Sequence, residues 1–133
     1  MSQRVVLVGH CGPDSSYLRI SVANALPGAK VVAVDDAAEL EKTINAGADL
    51  LLVNRQLDFG FEETEGVELI RNVRSRYPEL KTILVSNYPE AQSAAMAAGA
   101  VGAFGKRDLG SSRVTQLLRD VLETDTRDSS TTK

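Results

Sequence analysis

Asp49-Leu50-Leu51-Leu52-Val53-Asn54 is the most apolar run in the chain. Successive aliphatic residues leave no polar face for water, so the run reads as the central strand of a sheet covered on both sides. Similar short runs lie on either side of it. Residues 5–8 are Val-Val-Leu-Val and end at Gly9; residues 82–85 are Thr-Ile-Leu-Val and end at Ser86. Two weaker strands are predicted at 30–34, ending in Asp35-Asp36, and at 101–104, with glycines at 102 and 105. Between the strands, apolar residues recur at helical spacing. Leu18, Val22 and Leu26 mark a first helix, capped by Asp14, Ser15 or Ser16 and stopped by Pro27-Gly28. Leu40 and Ile44 mark a second over 37–45, capped by Asp36 and closed by Gly47. Val67, Ile70 and Val73 mark a third over 66–77, and the alanine-rich segment 89–98, with Met96 as packing material, is a fourth. In the last, capped by Ser111 or Ser112, Val114, Leu117, Leu118, Val121 and Leu122 form the clearest amphipathic stripe.

This alternation predicts an α/β fold: a five-stranded parallel sheet with helices on both faces, a flavodoxin-like, doubly wound sandwich. Residues 1–123 are expected to form one domain, and 124–133, which hold no apolar residue, a disordered polar tail.

Composition narrows the function. With 133 residues the chain can bury a core without disulfides. One cysteine cannot form an internal bridge, and one histidine with one cysteine cannot make a Cys/His zinc site. The net charge of −3, with no Lys/Arg cluster, argues against nucleic acid as a partner. The first residues lead straight into a short apolar run, and no run is long enough to span a membrane, so a cytoplasmic location is expected.

In doubly wound sheets, sites form beyond the carboxyl ends of the strands. Here those ends carry Gly9-His10, Asp35-Asp36, Asn54, Ser86 and, just past the fifth strand, Lys106. The chain resembles, over roughly residues 4–122, the receiver domain of two-component response regulators, the CheY-like family. Residues 49–54 look like the strand that bears the family's phosphorylated aspartate, and Gly66-Val67-Glu68-Leu69-Ile70-Arg71 like the opening of its third helix. Ile83-Leu84-Val85-Ser86 looks like the strand ending in the signalling hydroxyl, and residues 98–106 like the fifth strand and its lysine. The resemblance implies an aspartate that takes a phosphoryl group, two acids after the first strand that hold Mg²⁺, a Ser/Thr and a Lys on the phosphoryl oxygens, and an aromatic switch.

Position by position, Ser86 and Lys106 are retained. The phosphoacceptor position is Asn54, whose neutral amide is a poor nucleophile. The acid-pair positions are Gly9 and His10, neither a hard oxygen ligand. The aromatic switch position falls on Ala103, with Phe104 facing the other way, and Arg107 stands in place of the proline that follows the lysine. Taken together, these losses imply a degenerate pseudo-receiver: a stand-alone module acting by protein–protein interaction without aspartyl phosphorylation. It is expected to be no enzyme and to hold no metal or cofactor. Its partner would be a histidine kinase, a response regulator or an output protein, and a homodimer is left open.

Several features have a plainer reading. Asp35-Asp36 follows the second strand, not the first, and reads as a solvated loop with a helix cap. His10-Cys11 suggests a reactive thiol or soft metal site, but two residues are no coordination sphere. Lys106 has no acid close in sequence; it is left to bond Asn54 or Ser86, reach solvent or hold an adventitious anion. Residues 55–65 form a long connection carrying Phe59 and Phe61, which either tuck down or form a recognition patch. Ala94, Ala97, Arg107, Arg113 and Gln116 are further candidate partner contacts, because receivers usually meet partners on the face of their fourth helix, fifth strand and fifth helix. Two alternatives remain: a phosphorelay receiver using a displaced acid, Asp58, and a flavodoxin-like module that binds a small ligand.

Overall fold

The computed structural model describes the backbone of residues 3–57 and 60–131, and side chains as far as residue 122. Five strands, β1 (Arg4–Val8), β2 (Lys30–Val34), β3 (Leu50–Asn54), β4 (Lys81–Val85) and β5 (Gly102–Phe104), form one sheet in the order β2-β1-β3-β4-β5. Every neighbouring pair is parallel. Helices α1 (Gly12–Ala25), α2 (Ala37–Gly47), α3 (Gly66–Arg76), α4 (Pro89–Ala98) and α5 (Ser112–Thr131) supply the crossovers. The flavodoxin-like sandwich expected from the sequence is the fold observed.

The run in β3 shows why this sheet has two covered faces. Alternate residues of a strand point to opposite sides. Leu50 and Leu52 join Leu7, Ile83 and Phe104 beneath α1 and α5. Leu51 and Val53 join Val6, Val8 and Leu84 beneath α2, α3 and α4. All four β3 aliphatic side chains are fully buried. The α5 stripe packs as expected, with Val114, Leu118, Val121 and Leu122 in the first cluster and Leu117 partly buried against it.

Some boundaries differ from the sequence reading. The first helix starts at Gly12 with Cys11 at its N-cap and no side-chain cap, so Asp14, Ser15 and Ser16 are not the cap. Pro13 sits in the first turn, where its missing N–H costs nothing, and this draws the helix start forward. In α3 it is Leu69, with Ile70 and Val73, that is buried, while Val67 is only partly so. Met96 is not packed inside; it is 49% exposed on α4. Helix α5 runs to Thr131, past the expected boundary at 123; the side chains of 123–131 and the whole of 132–133, on which the expectation of a polar tail falls, lie outside the described residues. Among the described residues, no helix is long and apolar enough to cross a membrane.

The long 55–65 connection folds over the β2 end of the sheet. Ala37 donates its N–H to the Gly60 carbonyl, and Leu57 to the Thr64 carbonyl. Phe61 is buried among Leu40, Leu57 and Leu69. As a candidate partner contact it is therefore corrected: burying the ring removes more apolar area from water than exposure could retain. Phe59 and Asp58 lie outside the described residues. The connection ends at Gly66, where any side chain would run into the Asn54 carbonyl, so only glycine lets α3 start this close to β3.

Candidate functional site

The carboxyl ends of β1, β3, β4 and β5 bring Gly9, His10, Asn54, Ser86 and Lys106 to one edge of the sheet, as the sequence spacing predicts. Gly9 takes a left-handed conformation, φ +76°, and a Cβ there would stand 2.7 Å from the Leu57 side chain. That turn aims its carbonyl at the end of β3. Asn54 responds with its amide nitrogen, which donates to the carbonyls of Gly9 at 3.0 Å and Gln56 at 3.1 Å. Both partners are acceptors only, so the group that meets them must be a donor. A carboxylate has no such hydrogen. The amide at 54 therefore serves as a clamp between β1 and the loop after β3, a task aspartate could not perform.

His10 turns inward. It is 7% exposed, and its Nε2 lies 2.8 Å from the Leu52 carbonyl. A carbonyl accepts, so Nε2 carries a proton and donates it there. Burial pushes its pKa below 6.5, and the nearby Lys106 cation adds to this, against the opposing pull of the Leu52 carbonyl. Nδ1 is buried without a hydrogen-bond partner. The imidazole thus ties β1 to β3 from within the core.

Lys106 does not bond Asn54 or Ser86. It lies in a single 3-10 turn, Lys106–Asp108, and its Nζ pairs with Asp14 at 2.5 Å. The Lys106 hydrogen bond holds the Asp14 carboxyl below the usual carboxylate range. This partner was not legible in sequence. Asp14 stands 92 positions before Lys106, and only the fold brings the first turn of α1 to the turn after β5. Ser86 is buried at the end of β4; its Oγ accepts from the Tyr88 N–H at 3.1 Å and its carbonyl from Gln92 Nε2 at 2.6 Å. Arg55, also missed, rests its guanidinium 4.6 Å from the centre of the Tyr88 ring.

Mg²⁺, the ion the resemblance implies, does not fit these residues. It demands several hard oxygen donors in octahedral geometry. Gly9 and His10 bring no carboxylate, the amide of Asn54 is spent on carbonyls, and Asp14 is engaged by Lys106. Among the described residues no three His, Cys, Asp or Glu cluster as metal ligands would.

The other sequence candidates fall into place. Asp36 caps α2, accepting from the Glu39 N–H at 2.7 Å, while Glu39 Oε1 accepts from the Asp35 N–H at 3.0 Å. That is the plain loop-and-cap reading of the acid pair. Ala103 is half-buried, and Phe104 is fully buried on the opposite face. Ala94, Ala97, Arg107, Arg113 and Gln116 are all exposed. Arg113 and Gln116 join Met96, Ala103 and Leu117 along a shallow cleft of about 690 Å³ between α4 and α5. Arg113 is held there by Asp108 at 3.3 Å and the Ala103 carbonyl at 3.2 Å.

No protein-family model and no curated protein matches the chain. Solved structures do. The chain is similar to the signal receiver domain of a DNA-binding response regulator from Colwellia psychrerythraea 34H, at 14% identity and a TM-score of 0.75, covering 92% of this chain and 99% of that one. It is similar to the receiver domain of NtrX from Brucella abortus, at 24% identity and a TM-score of 0.69, covering 90% and 98%. Against a longer NtrX chain from the same organism it scores 0.80 at 18% identity, covering 99% of this chain but only 30% of that one. At these identities the likeness is one of fold. The class that the sheet order and the matches define is the response regulator receiver fold.

Proposed function

We propose that the chain is an atypical receiver module of two-component-type signal transduction. It binds a protein partner, namely a histidine kinase, a response regulator or an output protein, without aspartyl phosphorylation, and it is not an enzyme. The observation that carries this reading is the Asn54 clamp. The atom that would attack phosphorus is replaced by a donor already committed to two carbonyls. Around it, the Asp14–Lys106 pair neutralises the lysine that would meet the phosphoryl oxygens. With both groups satisfied internally, the site has no vacancy for a modification to fill, and one conformation is built in. Output then depends on which partner meets the exposed surface. The α4–β5–α5 face, with Arg113 and Gln116 on its cleft and Ala94 and Ala97 beside it, offers such a surface, and a second copy of the chain is among the partners it could meet.

The Asn54→Asp variant tests the site. The reading expects no micromolar Mg²⁺ binding in this variant by calorimetry, because Gly9 and His10 still bring no carboxylate. Micromolar affinity would show that the β1 end can hold the ion after all.

A further inference from the structure

We propose that the groove between α2 and α3 is a binding site for a small organic cation, a single aromatic ring that carries an alkylammonium group. The groove lies apart from the strand ends: none of Asn54, Ser86 and Lys106 lines it. It exists because α3 packs against α4 but scarcely against α2. On the α2 side Ala37 and Ala38 line it, and their methyl groups are too short to close the gap.

The floor of the groove is apolar. Leu40, Phe61, Leu69 and Val73 line it. Each keeps between 2% and 7% exposure, where the aliphatic residues of β3 keep none. Solvent therefore reaches this core cluster from the groove, and a ligand can follow the same path. The groove holds about 150 Å³. A cavity of about that volume with aliphatic and aromatic walls takes one benzene-sized ring. Phe61 and the half-buried Tyr77 give such a ring aromatic partners, which meet it offset or edge to face.

The rim is acidic. Glu41, Glu62 and Glu63 line the groove against a single cation, Arg76. Arg76 is already shared between Glu41 at 3.9 Å and the Tyr77 ring at 5.3 Å. Glu63 accepts from Asn72 Nδ2 at 2.7 Å, but a neutral donor leaves the carboxylate charge uncancelled. Among the described residues no cation pairs with Glu62 or Glu63. An apolar floor under a rim of surplus negative charge selects a ligand that points its ring inward and its ammonium group outward, and it repels an anion. Nothing in this binding involves Asn54, so the site stands whether or not the chain signals without phosphorylation.

The experiment is an amide NMR titration of the full ¹⁵N-labelled chain, at neutral pH and low salt, with benzylammonium and in parallel with benzyl alcohol, benzoate and methylammonium. The expected result for benzylammonium is saturable shifts confined to residues 37–44, 61–63 and 69–77, with a Kd on the order of 1 mM. Benzyl alcohol moves the same residues but binds about fivefold more weakly, the scale of exposed ion pairs, and benzoate and methylammonium do not saturate. The double variant Glu62→Gln/Glu63→Gln weakens benzylammonium about fivefold and leaves benzyl alcohol unchanged. Glu68→Gln, at an exposed position of α3 outside the groove, alters neither. Shifts for benzylammonium that grow linearly without saturation, equal affinity for benzyl alcohol, saturation by benzoate or methylammonium, or an unchanged affinity in the folded double variant would overturn the proposal.

Discussion

His10 and Asn54 satisfy the ends of β1 and β3 in different ways. Asn54 makes a pair of hydrogen bonds to carbonyls, and His10 buries a neutral ring. The second choice makes stability depend on pH. The native pKa of His10 lies below 6.5, so in mild acid the unfolded chain binds a proton that the native chain refuses. Stability is therefore expected to fall as pH drops below about 6.5 and to level off once pH passes the native pKa. Urea midpoints between pH 7.5 and 5 should show this fall, and His10→Gln should flatten it. A midpoint independent of pH in the wild type would mean that the ring is not held neutral by burial. The Asp14 carboxyl, whose pKa is also depressed, acts in a lower window: its contribution is present above 3.8 and is lost as pH falls through its native value. At this scale the sequence was readable wherever chemistry is fixed by residue type, as with the neutral, hydrogen-donating amide of Asn54. It was silent on Asp14, because an ion pair between the first turn of α1 and the turn after β5 leaves no local trace.

Elements were legible in proportion to how completely local pattern determines them. Strand β3 and helix α5 announce themselves, one by an unbroken aliphatic run and the other by its stripe, and both form where expected. The start of α1 did not. Asp14, Ser15 and Ser16 are all good cap residues by composition, yet Pro13 initiates the helix earlier and Asp14 is spent on Lys106. The 55–65 connection likewise reads as a loop but conceals a structural element. Phe61 fills the space beside α2 and α3, two helices that touch each other little and rely on what lies between. Phe61→Ala should therefore cost about 3 kcal/mol in chemical unfolding, as expected for a buried ring truncated to a cavity. A cost below about 0.5 kcal/mol, the scale of an ordinary surface substitution, would return Phe61 to the class of surface contacts.

At the scale of the whole molecule, the alternation of strands and helices carried the parallel sheet covered on both faces, whereas the order β2-β1-β3-β4-β5 is set by which strands pair in space and leaves no local trace. Nor could the sequence carry the state of the site. The acids are numerous, 18 in all, yet Asp14 is engaged by Lys106 and Asp36 by a helix cap. The proposed function holds that this fold, with the end of β3 closed by its own hydrogen bonds, signals through its surface and not through phosphoryl chemistry. That claim is tested most directly by the intact mass of the full wild-type chain after incubation with acetyl phosphate and Mg²⁺. The account predicts the unmodified mass alone. A phosphoryl adduct on any acidic residue, Asp58 included, would contradict it.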